Sequence, residues 1–143
     1  IFKDVLFKFG VGGENKKNSS SWILEEWKAP KTERVWGYYR VLYEVSGLKV
    51  KELTVNPGKS LSMQKHSYRN EHWHIVEGVA NVQLKYHRPD RSEEVINHTL
   101  FPNNTLNIPL GAWHQLSNQS SSLLKIIEIQ YGESCVEEDI ERK

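Results

Sequence analysis

Four side chains in two short segments have the residue types and the spacing of a metal site. Gln64 and His66 are separated by one residue, Glu71 follows in the same segment, and His114 lies in a second segment. Because alternate residues of a strand face the same side, Gln64 and His66 can both reach a common point. Two imidazoles, a carboxylate and an amide oxygen form a mixed set that suits Zn, Mn, Fe, Co or Ni. The pattern predicts one divalent metal ion, with zinc as the first choice.

Turn residues on either side of these ligands indicate how the chain brings them together. Gly58 and Gly78 bracket the first segment, and we expect Glu71 to return on the strand next to the one that carries Gln64. Pro109-Leu110-Gly111 predicts a tight turn that places His114 on a further strand.

The remaining histidines and the single cysteine lack such support. His72 and His74 lie one and three residues after Glu71, and residues at odd spacing in a strand face opposite sides. We therefore expect both histidines to point away from the Glu71 side. His87 and His98 are interpreted as surface residues. Cys135 is the only cysteine, which excludes an intrachain disulfide and a cysteine-based zinc site. We interpret it as a free thiol.

The elements that must position the ligands are short strands. From Trp36 onward, β-prone runs alternate with turn signals at roughly ten-residue spacing, which is typical of an all-β sandwich or barrel. The predicted strands are 38–44, 48–55, 61–66, 73–76, 80–86, 94–100, 105–108, 114–116 and 123–131. The charged tail Val136–Lys143 is predicted to form a short helix. Ahead of the strands, residues 1–9 could form a strand or arm, 10–21 a flexible loop, and 22–27 one or two helical turns.

Length, charge and hydropathy exclude several classes of protein. The chain has 143 residues, which fits one domain, and its net charge of +1 gives no global field for gripping nucleic acid or an anionic membrane. No apolar run approaches the roughly 20 residues needed to cross a bilayer. The first residues do not have the pattern of a secretory signal peptide, and a cytoplasmic location is expected.

The spacing of both segments resembles the two signature motifs of the cupin family. The first runs from Gly58 through Gln64, His66 and Glu71 to Gly78, and the second runs from 103 to 118 around His114. The usual first motif has His where this chain has Gln64, and the second usually opens with Gly where this chain has Asn103. The resemblance implies an all-β fold, a cupin double-stranded β-helix or jelly-roll barrel, over residues 34–143. Residues 1–33 would form an irregular N-terminal arm.

A narrower resemblance covers most of the chain from Arg34 onward. Arg34-Val35-Trp36-Gly37, the Gln64 to Trp73 segment, residues 108–118 and 126–132, and Glu138-Asp139-Ile140 with Arg142 are similar to the cupin domain of type II mannose-6-phosphate isomerases. That family itself carries Gln in place of the first His. Val35 stands where the family has Pro, and the Tyr-Gly-Arg with which the family's tail ends does not follow Arg142.

This resemblance implies interconversion of mannose 6-phosphate and fructose 6-phosphate, assisted by the metal. We predict Glu128 as the base, because a carboxylate in mid-strand beside Ile126 and Gln130 needs a reason; a structural carboxylate paired with Arg or Lys is the alternative. Arg142 is grouped with Glu128 as a candidate catalytic residue and is also a phosphate candidate. Substrate contacts are predicted for Lys51, Arg69, Gln130 and Arg34, the three cations on the phosphate and Gln130 on sugar hydroxyls.

Three other functions stay open at this level. The main alternative is a non-catalytic cupin module that binds a sugar or nucleotide sugar. A metal dioxygenase and a metal-free keto-sugar epimerase are further alternatives on the same barrel, and the intact four-ligand set argues against the second. No nucleic acid or membrane partner is expected. Apolar residues in the otherwise polar N-terminal region, including Trp22 and Trp27, suggest packing on a partner, and a homodimer is predicted.

Overall fold

The computed structural model describes residues 29–143, which fold into eleven β-strands. The strands are β1 (Thr32–Arg34), β2 (Gly37–Val45), β3 (Leu48–Val55), β4 (Gln64–Lys65), β5 (Arg69–Glu77), β6 (Ala80–His87), β7 (Glu93–Leu100), β8 (Thr105–Ile108), β9 (Trp113–Ser117), β10 (Leu124–Gly132) and β11 (Glu141–Arg142). Within this range there is no helix.

Two antiparallel sheets form the fold. The first has the strand order β1-β2-β3-β10-β5-β8, and the second has the order β11-β4-β9-β6-β7. Inward-facing residues of both sheets pack against one another, which is the arrangement of a cupin barrel. The predicted fold class is therefore confirmed.

The interior of the barrel is apolar at one end and polar at the other. The change occurs along successive rows of paired residues across β3, β10 and β5. Leu53, Ile126 and Ile75 lie side by side in one row and belong to the apolar core. The next row along the strands places Lys51 opposite Glu128, and the row after that places Gln130 opposite Glu71. Because every second residue of a strand faces inward, the inward face of these strands runs from the apolar core into a buried polar end of the barrel.

Two backbone positions explain residue choices noted in the sequence. Gly78 has a φ of 84°, and a Cβ built there would meet the Leu123 carbonyl oxygen at 2.3 Å. Asn103, where the cupin motif usually has Gly, has a φ of 72°, and Asn is one of the few residues with a side chain that adopt this left-handed conformation readily. Both motif positions therefore hold residues that their backbone conformation requires.

Most predicted strands are confirmed, and two have the predicted bounds, Leu48–Val55 and Thr105–Ile108. The predicted strand over 61–66 is reduced to Gln64–Lys65. The helix predicted for Val136–Lys143 is wrong: Glu141 and Arg142 pair with β4, and Glu137 and Asp139 bond to separate parts of the barrel. These tertiary bonds outweigh local helix preference. The elements predicted within 1–27 lie outside the described residues.

Candidate metal centre and adjoining cavity

Three of the four predicted ligands converge in the polar end of the barrel. His66, Glu71 and His114 are all buried, and one ligating atom from each lies within 4.8 Å of the others. His66 Nε2 is 3.2 Å from Glu71 Oε2, and His114 Nε2 is 3.7 Å from Glu71 Oε1. These separations between donor atoms are of the order expected when ligands at about 2.0–2.2 Å share one ion.

The ligands come from opposite sheets. His114 lies on β9 and His66 directly follows β4 in one sheet, whereas Glu71 lies on β5 in the other. The expectation that Glu71 returns on a strand next to Gln64 is wrong, because Ser67 and Tyr68 carry the chain across to the second sheet. The site consequently closes only when the two sheets pack together.

Main-chain carbonyls fix the tautomer of both imidazoles. His66 Nδ1 lies 2.6 Å from the Asp139 carbonyl oxygen, and His114 Nδ1 lies 3.0 Å from that of Ala112. A carbonyl can only accept a hydrogen bond, so each Nδ1 must donate. Each Nε2 therefore carries the lone pair, which is the state that metal ligation requires, and at His66 this nitrogen accepts from Arg69 Nη2 at 3.2 Å.

Burial keeps these imidazoles neutral. It lowers the pKa of His66 to about 4, with a further contribution from the positive charge of Arg69. Burial also lowers the pKa of His114. Neutral histidines do not have to release a proton before they bind a cation at pH 7.

Arg69 neutralises the Glu71 carboxylate in this arrangement. Its Nε and Nη2 both lie 3.0 Å from Glu71 Oε2, and its Nη2 lies 3.2 Å from His66 Nε2. Nη1 donates to the Val136 carbonyl oxygen at 3.2 Å. The predicted contact of Arg69 with a phosphate stays a prediction, since its guanidinium already has these partners.

The donor set fits a divalent metal ion. Two neutral imidazole nitrogens with fixed tautomers and a buried carboxylate provide nitrogen and oxygen ligands. Trp73 Nε1 donates to Glu71 Oε1 at 3.0 Å and thereby orients the carboxylate. Gln64 lies opposite His114 in the β4–β9 pair, and opposite residues of such a pair face the same side. Its amide Nε2 donates to the Ser62 carbonyl at 3.4 Å, and its role as fourth ligand stays a prediction.

A cavity of about 320 Å³ is lined by Gln64 and by Arg69, whose guanidinium contacts Glu71 and His66, while His66, Glu71 and His114 are not among its lining residues. Its lining includes most of the residues predicted to bind substrate or to act in catalysis, which are Arg34, Lys51, Arg69, Glu128 and Arg142, and also Gln64, which was predicted as a metal ligand. Trp36, Tyr39, Leu53, Leu61 and Ile140 contribute apolar and aromatic surface, and Ser60 and Ser62 contribute hydroxyls. The cavity thus combines cations, one buried carboxylate and hydrogen-bonding groups within a small volume.

Glu128 is the buried carboxylate of this cavity. Burial raises its pKa to about 7, and the charge of Glu71 acts in the same direction. Gln130 Nε2 donates to Glu128 Oε2 at 2.9 Å. Gln130 itself is fully buried and is not among the cavity-lining residues, so its predicted contact with sugar hydroxyls stays a prediction.

The lysines beside the cavity pair with the C-terminal segment. Lys51 Nζ lies 2.6 Å from Glu137 Oε1, and the buried Lys49 Nζ lies 3.3 Å from the same oxygen. Burial alone would raise the pKa of Glu137, but the hydrogen bond from Lys51 and both lysine charges hold that pKa below its ordinary value. Glu137 is therefore an ionised partner of Lys51, which was predicted to contact phosphate.

Comparison with known proteins identifies the family. Residues 25–143 match the protein family described as "Mannose-6-phosphate isomerase C-terminal". The chain belongs to this family. The resemblance inferred from the sequence motifs is thereby confirmed.

The curated relatives of this family member are named for polysaccharide biosynthesis or for mannose-1-phosphate guanylyltransferase activity. The chain is 40% identical over 112 residues to xanthan biosynthesis protein XanB of Xanthomonas campestris, which covers 78% of the chain and 22% of that protein. It is 38% identical to a mannose-1-phosphate guanylyltransferase of Sinorhizobium fredii over 79% of the chain and 20% of that protein. It is 39% identical to alginate biosynthesis protein AlgA of Pseudomonas putida over 76% of the chain. The chain spans about a fifth of the length of these relatives.

Solved structures share the fold of this family member at low sequence identity. The capsular polysaccharide assembling protein CapF of Staphylococcus aureus matches with a TM-score of 0.67 at 14% identity, covering 97% of the chain and 46% of CapF. Oxalate oxidase in complex with glycolate matches with a TM-score of 0.59 at 16% identity, covering 67% of the chain and 46% of that enzyme. At these identities the likeness concerns the fold alone.

Among residues 29–143, no helix has the length and apolar character to cross a membrane.

The other sequence expectations have mixed outcomes. His72 and His74 face away from the ligands, as predicted, and His72 Nδ1 bonds to Asn107 Oδ1. His87 is exposed, whereas His98 is half-buried. Cys135 is a free thiol as predicted, and burial raises its pKa.

Sequence reasoning missed Lys49, Glu137 and Asp139 as neighbours of the site. The two acidic residues lie in a charged tail whose composition gives no signal of what they contact.

Proposed function

We propose that this domain interconverts mannose 6-phosphate and fructose 6-phosphate with the help of one divalent metal ion. Family membership supports the reaction class, and a cavity of about 320 Å³ together with three convergent candidate ligands supports the presence of a site. The observation that carries the proposal is a buried carboxylate, Glu128, with a pKa of about 7, in a cavity that arginine and lysine side chains also line.

His66, Glu71 and His114 would hold the metal, with Gln64 as the candidate fourth ligand. When bound, such an ion supplies Lewis acidity towards the oxygens of the sugar carbonyl and its neighbouring hydroxyl. Zinc is the first choice for this donor set, and manganese, cobalt, nickel and iron are compatible with it.

Glu128 would act as the base. The reaction removes a proton from C2 of the aldose while O1 gains one to give an enediol, and then returns a proton to C1 while O2 loses one, so that the carbonyl moves from C1 to C2. A general base works best with a pKa near the working pH, and burial brings Glu128 there. Gln130 would hold the Glu128 carboxylate in one orientation through its amide hydrogen bond.

Cations of the cavity would bind the phosphate. Arg34, Arg142 and Lys51 all line it, as does Glu128. Arginine gives bidentate contacts to phosphate oxygens, whereas lysine acts as a point charge. We assign the phosphate first to Arg142 and Arg34, because Lys51 and Arg69 already pair with carboxylates.

The deciding experiment measures turnover of mannose 6-phosphate by the purified chain after chelation and after return of Zn, Mn, Co or Ni. Turnover that disappears on chelation and returns with one metal supports the isomerase. Folded protein that binds a metal yet gives no turnover with any of the four would overturn the proposal. A protein of the chain's full length, including residues 1–28, should be used.

One observation favours a second function, a non-catalytic sugar-binding module. The Arg69 guanidinium already contacts both His66 and Glu71, so the buried carboxylate is neutralised by a cation of the protein itself. A hexose phosphate that binds in calorimetry, without turnover and without dependence on added metal, would support this alternative. The homodimer and the cytoplasmic location inferred from the sequence stay predictions.

A further inference from the structure

The last eight residues, 136–143, cross the polar end of the barrel, and we call this segment the C-terminal strap. Val136 accepts a hydrogen bond from Arg69, Glu137 pairs with Lys51, and Ile140 and Arg142 line the cavity. Glu141 and Arg142 form β11 on the free edge of β4. The strap thus contacts both sheets next to the candidate metal ligands.

Asp139 makes the contacts of the strap that bear directly on a metal ligand. Its carbonyl oxygen accepts the hydrogen bond from His66 Nδ1 at 2.6 Å. Its carboxylate accepts two more, with Oδ1 bonded to the Ser67 amide and Oδ2 to the Tyr68 amide, each at 2.9 Å. One residue therefore binds the ring of His66 and also the two peptide groups that follow it.

His66 depends on such support because ordinary sheet pairing holds it weakly. It lies just beyond β4, which has only two residues and pairs with β9 at the single position Gln64–His114. The other edge of β4 is paired by the strap itself. Gly111 adds one main-chain bond by donating to the His66 carbonyl. The backbone position of His66 is therefore set largely from outside the sheet.

We propose that Asp139 is a positioning residue for the metal site: its side chain anchors the carbonyl that accepts the Nδ1 proton of His66 and thereby orients the ring, so that docking of the strap and binding of the metal stabilise each other. The inference rests on the metal part of the proposed function. Coupling between two binding events is reciprocal, so strap docking strengthens metal affinity by the factor by which metal strengthens docking. Partners of ligating histidines typically contribute 10- to 100-fold to metal affinity.

The first test uses Asp139→Asn and Asp139→Ala on the full chain, with Glu138→Gln as the matched control. Glu138 is the adjacent exposed acid, and its side chain has no bond among the described residues. Asparagine has the size of aspartate, but only one of its two terminal atoms accepts hydrogen bonds. The Asp139 carboxylate accepts one hydrogen bond on each of its two oxygens, from two main-chain amides. Cobalt(II) titration of the metal-free protein, followed by its absorption, should give about tenfold weaker binding for both Asp139 variants. The Glu138 control should bind as wild type.

The second measurement concerns His66 in the metal-free protein, by long-range ¹⁵N–¹H NMR of the imidazole. Wild type should show the proton on Nδ1, with the low-field shift of a short hydrogen bond. In Asp139→Asn the proton should stay on Nδ1, because Arg69 donates to Nε2 and the main-chain carbonyl is retained, but its resonance should move upfield because the carbonyl is held less firmly. Wild-type cobalt affinity together with an unchanged Nδ1 proton shift in Asp139→Asn would overturn the proposal. Because this shift is read without metal, the positioning role is tested even if the isomerase reaction is absent.

A third measurement needs no variant and guards against misfolding of the Asp139 variants. In wild type, added zinc should slow hydrogen exchange at the Ser67 and Tyr68 amides, because a ligated His66 holds the strap in place. Equal exchange rates with and without bound zinc would overturn the coupling. Wild type that binds neither zinc nor cobalt would overturn both the coupling and the metal-dependent isomerase, whereas bound metal without turnover would contradict the isomerase alone.

Discussion

Lys51 and Glu128 lie directly opposite each other across β3 and β10, at the boundary between the apolar core and the polar end of the barrel. The Lys51 ammonium is bonded to Glu137 at 2.6 Å, so Glu128 faces the cavity without being fixed by that lysine. Under the proposed function, Glu128 is the group that accepts the proton from C2.

Glu128→Gln should lower kcat for mannose 6-phosphate about 10²- to 10⁴-fold, because the amide cannot accept the C2 proton. Cobalt affinity should stay within about threefold of wild type. Glu52→Gln, on the outward face of β3, is the control and should keep full turnover. Undiminished turnover in Glu128→Gln would exclude Glu128 as the base and favour its structural role.

His114→Ala should weaken cobalt binding at least 100-fold and abolish metal-dependent turnover, since it removes one of three convergent ligands. Circular dichroism should show the same β-sheet content as wild type. His74→Ala provides the comparison, because His74 lies on β5 with its side chain turned away from the ligands. If His114→Ala and His74→Ala bound cobalt with equal affinity, the metal would have to bind at another site.

Arg142→Gln should raise KM for mannose 6-phosphate about tenfold or more, because a charge-assisted hydrogen bond to phosphate contributes roughly 1.5–3 kcal/mol. Inorganic phosphate should also inhibit the variant less than it inhibits wild type. Arg88→Gln removes an exposed arginine that pairs with Glu94 and should leave both values unchanged. A fall in kcat at constant KM would contradict the phosphate assignment and support a catalytic role for Arg142.

Glu137→Gln should lower the free energy of unfolding by about 1–2 kcal/mol at pH 7, because it removes the carboxylate that pairs with buried Lys51, while buried Lys49 keeps its second pair with Glu44. The pKa of Glu137 is lower in the folded state than its ordinary value. Its stabilising effect is therefore complete above the ordinary value and is lost as the pH falls through the folded one. Urea denaturation at pH 7 and pH 3 should show the difference between variant and wild type shrinking at low pH. Glu94→Gln, from an exposed pair, should differ from wild type by less than about 0.5 kcal/mol at either pH.

Gly78→Ala should destabilise the fold by about 3 kcal/mol or more, since its Cβ would overlap the Leu123 carbonyl oxygen and its φ is 84°. Gly58→Ala has a similar φ of 74° but meets nothing within 4 Å, so it should cost only about 1 kcal/mol. Thermal denaturation of the two variants separates steric overlap from backbone strain. Equal costs would show that the close contact at Gly78 relaxes without penalty.

Much of the fold is encoded locally. Alternation of apolar residues and the turn residues between runs define strands such as Leu48–Val55 and Thr105–Ile108, because strand period and turn chemistry depend on neighbouring residues. The residue types and spacing of His66, Glu71 and His114 likewise indicate a metal site. Local preference failed for Val136–Lys143, where contacts distant in the chain replace the predicted helix.

The sequence by itself determined the family, the β-strand pattern and the identity of three candidate metal ligands that converge. Only the tertiary structure placed Glu71 on the sheet opposite Gln64, turned the Arg69 guanidinium onto that carboxylate and brought the Asp139 carbonyl to His66. A main-chain carbonyl is present at every residue and has no signature in the residue types. Its role in fixing a tautomer is decided by packing between segments that are far apart in the chain.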